Sequence, residues 1–433
     1  MDKAYNVMDQ QFKDGPAFSK FLDNNDPLGH LRQRFYIRKN TIYMCGNSLG
    51  LISKDAEDTT LDLIQKWKNE GVQIWNVEEN KYYLYSSQIA KLMAPLVGAD
   101  DDEIAVVGST TVNIHQVIGT FYKPTKDRYK ILLDDLNFPT DRYAIDSQVR
   151  LKGYTPEESV KIVKSVNKFI NENDVIAAMT DDVAIVFLPS VYYRTAQILD
   201  MKKITDAAKA RGIIVGWDLC HAVGAIEVDL KSIDADFAVW CTYKYLNGGP
   251  GSCGALYINR KHFQLLPGLA GWFGNRVETQ FLLRQKFDHR KDSNGWQIGT
   301  PHLFSMAPLE GSLKMFIDCG MRKVRQKSLK LTGYLIYLID NKLIQFGFSI
   351  GNLREDSKRG GHVCLEHEES YRISLALKER GVVPDFRDPN VIRLAPVAMY
   401  TTYSEVYTMV EVLVDIMKSE SYKKFSCKRN VVV

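Results

Sequence analysis

Short apolar runs alternate with helical stretches through the middle of the chain. Stretches such as residues 112–120 and 204–211 carry apolar side chains at helical spacing. The apolar runs of strand length lie at residues 103–107, 129–133, 183–188, 212–217 and 237–241. Because strand and helix alternate, the pattern predicts an α/β fold whose mainly parallel sheet is covered on both faces. Ligands are then expected at the carboxyl ends of the strands.

The two ends of the chain follow other patterns. The sequence before residue 41 is polar and weakly periodic, which predicts a helical arm, whereas residues 306–346 are mostly helical. With 433 residues, the chain is also longer than one hydrophobic core usually supports. We therefore predict an arm that belongs to a small domain (residues 1–40), a large domain (residues 41–305) and a small C-terminal α+β domain (residues 306–433).

Charge and composition exclude several classes of protein. The 56 basic and 52 acidic residues are scattered along the chain and give a net charge of only +4. Nucleic-acid binding usually needs clustered basic residues, so no nucleic-acid partner is predicted. One basic cluster is interpreted as a solvated tail; it consists of Lys423, Lys424, Lys428 and Arg429.

Cysteine usage and the N-terminus indicate the compartment. The seven cysteines lie far apart and form no C-x-x-C pair, so we predict reduced thiols and no metal site. The N-terminal sequence lacks the apolar core of a signal peptide, and no apolar run approaches the roughly 18 residues that cross a bilayer. These features predict a cytoplasmic protein with no membrane partner.

Asp218 and Lys244 each follow an apolar run, and together they indicate a cofactor. A carboxylate at the end of a buried strand needs a cationic partner, which a protonated pyridine nitrogen supplies. Pyridoxal phosphate requires an acidic partner for that nitrogen and a lysine for its aldehyde. Taken alone, Asp218 is more simply a helix cap and Lys244 a surface lysine. The pair, followed by the loop around Gly248, Gly249 and Gly251, favours a Schiff-base lysine.

Two further segments have the residues that such a cofactor requires. Residues 108–113 lie between a strand and a helix, where free backbone N–H groups of Thr110 and Thr111 would face a phosphate. Ser109, Thr110 or Thr111 would equally serve as simple N-caps. Phe138 would stack on a planar ring and Asp141 would accept a hydrogen bond from it, with a simple turn at Pro139 as the alternative.

At this point the motifs resemble those of kynureninases, which are pyridoxal-phosphate enzymes of the aspartate-aminotransferase fold type. The similarity extends from about residue 36 to about residue 412. It implies a type I fold, with a mainly parallel seven-stranded sheet in the large domain and a smaller α+β C-terminal domain. The matching segments, in order, are TIYMCGNSLGL, STTVNIH, NFPTDRY, WDLCHAVG, CTYKYLNGGPGS, GWFGN, IGTP and IRLAPVAMYTT.

The resemblance implies a role for each matching position. Lys244 resembles the Schiff-base lysine, and Tyr243 either moves protons or only binds the phosphate. The residues implied to bind pyridoxal 5'-phosphate are Thr110, Thr111, Phe138, Asp141, Asp218, His221, Tyr243 and Lys244. In the family, Trp272 and Thr300 reach the phosphate from the neighbouring subunit, which implies a homodimer with shared active sites.

The resemblance also implies where an amino-acid substrate binds. Arg393 resembles the arginine that clamps the α-carboxylate, a task suited to a planar bidentate donor. Ser48, Trp75, Phe273 and His302 would border the pocket for the aromatic end, although ordinary packing is an alternative for Trp75.

Three positions depart from the family pattern. Pro189 replaces a threonine or serine, with Ser190 as a compensating hydroxyl, and Ala196 replaces a glycine. Asn275 stands where a histidine is usual, and Thr300 follows the bacterial form. These changes are expected to leave cofactor binding little affected and to bear on the substrate preference.

Hydrolysis of the Cβ–Cγ bond of L-kynurenine or 3-hydroxykynurenine, giving anthranilate or its 3-hydroxy form and L-alanine, is the activity that the resemblance implies. One alternative is a relative acting on a different γ-keto or β-substituted amino acid. A cysteine-desulfurase-like lyase is disfavoured because no cysteine lies in an obvious candidate loop. A non-catalytic relative is disfavoured because Lys244, Asp218 and Arg393 are all present.

Overall fold

The computed structural model describes residues 11–428. Arg429 of the predicted basic tail and the first ten residues lie outside this range. The strands are β1 (Ile42–Tyr43), β2 (Ile104–Val106), β3 (Lys130–Asp134), β4 (Val160–Val163), β5 (Val183–Pro189), β6 (Ile214–Asp218), β7 (Phe237–Cys241), β8 (Gly254–Ile258), β9 (Ser349–Ile350), β10 (Val363–Glu366), β11 (Val382–Val383), β12 (Asp385–Arg387) and β13 (Val391–Leu394).

The α-helices alternate with these strands in the first two thirds of the chain. They are α1 (Pro16–Asn24), α2 (Lys54–Glu70), α3 (Tyr85–Val97), α4 (Thr110–Phe121), α5 (Pro139–Leu151), α6 (Pro156–Ser159), α7 (Glu172–Ala177), α8 (Met201–Lys209), α9 (Leu230–Ile233), α10 (Val277–Gln280), α11 (Leu303–Cys319), α12 (Met321–Lys342), α13 (Ser370–Glu379) and α14 (Tyr403–Lys418).

The large sheet of the described chain has seven strands in the order β2-β8-β7-β6-β5-β3-β4. Strands β3 to β7 pair in parallel, whereas β8 runs antiparallel to both of its neighbours. The mainly parallel sheet predicted from the sequence is thus confirmed. Two of its strands were not predicted: β8 is a buried apolar run that directly follows the glycine-rich loop, and β4 is only partly buried at the edge of the sheet.

Both faces of this sheet are covered, because side chains along each strand point alternately to opposite faces. On β3, Leu132 belongs to one buried apolar cluster, while Ile131 and Leu133 belong to another. Helix α11 packs in the same cluster as Leu132, and α4 and α5 pack in the other. This arrangement explains why the strands appear as nearly continuous apolar runs in the sequence.

A second sheet, formed near the C-terminus, has the order β12-β13-β10-β9 and is antiparallel. Its apolar residues share a core with α12, α13 and α14. The N-terminal arm joins this core: Asp23 accepts hydrogen bonds from the first N–H groups of α14, and Asp26 forms a buried ion pair of 2.6 Å with Lys327. The domain limits at residues 40 and 305 stay predictions.

Several polar residues follow the carboxyl ends of the parallel strands and meet at one edge of the large sheet. Pro189 on β5 lies beside Asp218 on β6, and Asp218 lies beside Val239 on β7. Lys244 is the third residue after the end of β7. This edge is where ligands of open α/β sheets bind. Separately, no helix within residues 11–428 is long and apolar enough to cross a membrane.

Candidate active site

A cavity of about 240 Å³ opens at this edge, between the large sheet and strands β12 and β13. It brings together residues that are far apart in the sequence, as the motif analysis predicted. The predicted site residues that line it are Ser48, Thr110, Thr111, Phe138, Asp218, His221, Tyr243, Lys244 and Arg393.

Asp218 is the last residue of β6 and is buried. Its Oδ1 accepts a hydrogen bond of 2.7 Å from the backbone N–H of Cys220. Burial raises the pKa of this carboxyl, while the same hydrogen bond and the charge of Lys244 oppose the shift. A carboxylate with so little solvent and one local donor is stabilised by any cation that enters the cavity.

Lys244 and His221 form the central polar contact of the cavity. The Nζ of Lys244 lies 2.9 Å from Nε2 of His221. Burial, followed by the charges of Lys244 and Arg393, holds the pKa of His221 well below its ordinary value, so the imidazole is neutral. If its Nε2 accepts from Lys244, the proton resides on Nδ1, which is buried and has no partner among the described residues. This nitrogen remains available to a ligand.

Asp141, in the first turn of α5, is a second buried carboxyl next to Asp218. Its Oδ2 accepts a hydrogen bond of 3.1 Å from Asn137, and its Oδ1 has no partner among the described residues. Burial and then the charge of Asp218 raise the pKa of Asp141 well above its ordinary value. Two adjacent buried charges of like sign repel, which favours the protonated form of Asp141 when Asp218 is ionised.

The loop between β3 and α5 is held by another acid that the sequence analysis did not single out. Asp134 is buried; its Oδ2 accepts a hydrogen bond of 2.7 Å from the hydroxyl of Tyr192, and its Oδ1 accepts one from the backbone of Leu136. Burial raises the pKa of Asp134 to about 7. These contacts fix the segment that carries Phe138 and Asp141.

The N-terminus of α4 lies at one corner of the cavity, which Thr110 and Thr111 line. The backbone N–H of Val112 donates to the hydroxyl of Ser109, so Ser109 is the N-cap and the free N–H groups of the first turn face outward. The hydroxyl of Thr111 lies 2.7 Å from that of Thr140. Strand β8 approaches this turn closely at Gly254, where a Cβ atom would meet the backbone of Thr110 at 3.0 Å.

Phe138 presents an aromatic face to the cavity. Its side chain is 43% exposed although most large apolar side chains nearby are buried. The ring of Tyr193 contacts it edge-on, with 5.3 Å between the ring centroids. Because Phe138 also lines the cavity, the exposed part of its ring could contact a planar ligand there.

Arg393 comes from β13 and is almost completely buried. Its Nη1 donates a 2.6 Å hydrogen bond to the carbonyl of Tyr193, and its Nη2 pairs with Asp385 on β12. The Nε has no partner among the described residues. A planar guanidinium held in this way is suited to binding a carboxylate.

The remaining predicted residues lie outside this cavity in the single chain. Trp75 packs edge-on against Tyr83 at 6.5 Å, and Phe273 is buried against the same ring at 5.1 Å. Trp272 is about half exposed, and Thr300 is also exposed. Thr300 and His302 line a separate cavity of about 300 Å³. Their predicted roles stay predictions.

The positions that depart from the family pattern have distinct surroundings. Pro189 lines the cavity, whereas the hydroxyl of Ser190 donates to the backbone carbonyl of Asp218 at 3.2 Å and does not line it. Ala196 has a backbone φ of 55°, a conformation that glycine adopts more easily. Asn275 donates to Thr279 and accepts from the backbone of Asp288, so it holds its own loop together.

Several lining residues were missed by sequence reasoning. Asn47 is buried beside Ser48, and both polar atoms of its amide lack a partner among the described residues. Its place in the same motif as Ser48 was the available signal. Tyr193, Thr140 and Arg387 also line the cavity. Thr140 had the same kind of signal, since it lies in one motif with Phe138, and Arg387 had the alternation of polar and apolar residues along β12.

Comparison with known proteins connects this geometry to a family. The chain is 51% identical to the kynureninase of Geobacillus thermodenitrificans over 416 residues, which cover 96% of this chain and 97% of that protein. It is 52% identical to the kynureninase of Bacillus thuringiensis over 411 residues, or 95% and 96% of the two chains. The chain belongs to the kynureninase family. A family model described as the kynureninase C-terminal domain matches residues 324–413.

Solved structures with the same fold include more distant enzymes. The cysteine desulfurase of Thermococcus onnurineus has a TM-score of 0.77 at 16% identity and covers 90% of this chain and 98% of its own. The cysteine desulfurase of Escherichia coli has a TM-score of 0.73 at 17% identity, with coverage of 91% and 98%. These similarities concern the fold alone. Both the family and the type I fold predicted from the sequence are thus confirmed.

The raised pKa of Asp134 predicts a pH-dependent effect of Asp134→Asn. Between about pH 4, where the unfolded chain releases this proton, and about pH 7, the folded protein retains it. The stability that this protonation contributes is therefore present at low pH and lost as pH rises through about 7. Because asparagine does not titrate, the melting temperature of the variant minus that of the parent should increase from pH 4 to pH 8. Thermal melts of cofactor-loaded protein across this range measure it.

Tyr192→Phe is the matched control for this experiment. It removes the hydroxyl that hydrogen-bonds Asp134 but leaves the acid in place. The loss of stability with rising pH should persist in this control. A difference between Asp134→Asn and the parent that stays constant with pH would contradict the assignment.

Proposed function

We propose that this chain hydrolyses the Cβ–Cγ bond of L-kynurenine, or of its 3-hydroxy form, using pyridoxal 5'-phosphate. The observation that carries the proposal is that Asp218, Lys244 and Arg393 converge on one cavity in a member of the kynureninase family. A lysine, an acid and a carboxylate-binding arginine are the groups that such a reaction on an amino acid needs.

The residues of the cavity fit the cofactor. Lys244 would hold its aldehyde covalently, Asp218 would neutralise its ring nitrogen, and the first turn of α4 would bind its phosphate. Phe138 offers a stacking surface, and the unpaired atoms of Asp141 and His221 are buried donors or acceptors with no other described partner. When bound, the cofactor supplies an electron sink for the carbanion that forms next to the amino group.

The side chains of this chain then orient the reacting groups and transfer protons. The free amine of Lys244 would remove the proton from the α-carbon of the substrate, and neutral His221, 2.9 Å from that amine, would keep it oriented. Burial raises the pKa of Tyr243, so its phenol keeps its proton and can donate it. Tyr243 thereby serves either in a later proton transfer or in binding the phosphate.

Substrate recognition is assigned to two groups of residues. Arg393 binds the α-carboxylate, and Ser48 lies on the same cavity. We further propose a homodimer in which Trp272 and Thr300 reach the phosphate of the neighbouring subunit, since both are exposed and neither lines the cavity of its own chain. Trp75, Phe273 and His302 are proposed to border the pocket for the aromatic end of the substrate.

A cysteine-desulfurase-like reaction is a weaker candidate, although the fold is shared. Such a reaction needs a mobile cysteine with an accessible thiolate. The cysteine that lines the cavity, Cys220, is buried under the cofactor site. A hydrogen bond with Cys241, together with burial, raises the pKa of the Cys220 thiol well above its ordinary value. This environment disfavours a nucleophilic thiolate.

A product assay tests the proposed function. The holoenzyme should release anthranilate from L-kynurenine or 3-hydroxyanthranilate from the hydroxylated substrate, with one equivalent of L-alanine in each case. The fluorescence of the aromatic product and chromatography of alanine measure the two products. L-Cysteine should yield no sulfide. Turnover of L-cysteine without turnover of either kynurenine would overturn the proposal in favour of the desulfurase-like reaction.

Lys244→Ala should abolish covalent cofactor binding. The variant is expected to lose the imine absorption band and to lower turnover by about 10³-fold or more, because the base and the anchor are both removed. Borohydride reduction and mass spectrometry of the parent should find the cofactor on the peptide that contains Lys244. Lys231→Ala, which removes an exposed lysine paired with Asp100, is the matched control and should behave like the parent. Retention of the label in Lys244→Ala would refute the assignment.

Shared active sites predict complementation between inactive chains. Lys244→Ala and the double variant Trp272→Ala/Thr300→Ala should both be impaired, yet co-expressed chains should regain part of the activity. In such a hybrid dimer, one site combines both defects and the other has none. Co-expression of Lys244→Ala with Asp218→Asn is the control, since both residues line the same cavity of one chain and no site is intact. If neither co-expressed pair regains activity, the sharing of active sites between subunits is excluded.

A further inference from the structure

Three charged side chains lie on one face of the second sheet, beside the active-site cavity. In the antiparallel pairing of β12 and β13, Asp385 lies opposite Arg393, and Arg387 lies opposite Val391. Because side chains alternate along a strand, Asp385 and Arg387 point to the same face as Arg393. Both Arg387 and Arg393 line the cavity.

The two arginines share one oxygen of one aspartate. Nη2 of Arg393 pairs with Oδ2 of Asp385, and Nη2 of Arg387 lies 3.3 Å from the same oxygen. The side chain of Arg393 is 2% exposed, whereas that of Arg387 is 38% exposed. The Nε of Arg387 is buried and has no partner among the described residues. Arg387 is thus the more accessible member of the pair.

The charges of this group do not cancel. Two guanidinium groups and one carboxylate leave one net positive charge beside the cavity. The neutral state of His221 adds no charge there. A single carboxylate from a ligand therefore neutralises this positive charge. A ligand with an uncharged group at the same position leaves the positive charge uncompensated.

We propose that Arg387 is a second recognition residue for the α-carboxylate of the substrate and, together with Arg393, makes the enzyme select a free amino acid over its amide. The inference rests on the proposed function, in which Arg393 binds that carboxylate. Asp385 keeps both guanidinium groups directed at one point before the substrate arrives. Arg387 then contributes binding energy that depends on the charge of the substrate.

Steady-state kinetics of the holoenzyme with L-kynurenine and with its α-carboxamide tests the inference. Arg387→Gln should raise KM for L-kynurenine by about 10-fold to 100-fold, the range expected for a hydrogen bond to a charged group, while kcat changes little. For the carboxamide, kcat/KM of the variant should equal that of the parent. Arg387→Lys should restore part of the selectivity because it keeps the charge but not the planar fork.

Two controls separate recognition from structure. Arg380→Gln removes an exposed arginine that pairs with Asp415 in the same part of the protein, and it should leave both substrates unaffected. Circular dichroism and cofactor content show whether each variant is folded and loaded. An equal loss of kcat/KM for L-kynurenine and its carboxamide in Arg387→Gln would indicate a structural role and overturn the inference.

Failure of the inference can be told apart from failure of the proposed function. If the parent does not cleave L-kynurenine, the proposed function fails, and the inference fails with it. If the parent cleaves it and Arg393→Gln raises KM, but Arg387→Gln leaves KM within about twofold of the parent, only the role of Arg387 is overturned.

Discussion

The site depends on keeping an acid charged in a place that contains almost no water. Asp218 ends a buried strand with one backbone donor on its side chain, and its burial alone would favour the protonated form. Lys244 supplies the positive charge that opposes this tendency. In the function that we propose, a cationic ring nitrogen would oppose it in the same way. Burial, followed by the charge of Asp218, raises the pKa of Asp141, and burial, followed by the charge of Lys244, lowers the pKa of His221.

The architecture makes such an arrangement possible because parallel strands place their ends at one edge. Loops that follow β3, β5, β6 and β7 meet there, and the rigid sheet holds their side chains at fixed distances. The second sheet contributes the arginines from the other side of the cavity. The substrate thus lies between an acid-and-lysine pair on one sheet and a carboxylate-binding pair on the other, in the function that we propose.

The fold by itself does not select this chemistry. Cysteine desulfurases with only 16% or 17% identity have the same fold over most of this chain. What separates the proposed reaction from a desulfurase-like one is local: Cys220 is buried with a raised thiol pKa. The family relationship rests instead on relatives that are about half identical over nearly the whole chain.

Local sequence patterns determined a large part of this picture. The buried strands appeared as apolar runs, and Asp218 and Lys244 were recognisable because each follows such a run. The antiparallel direction of β8 was not recognisable from the sequence, because a strand's direction depends on where its partner lies. Asp134 and Tyr193 make their contacts with residues distant in sequence, which strand register and packing create. Hydrophobic periodicity reports whether a side chain is buried, and tertiary structure alone decides what it is buried against.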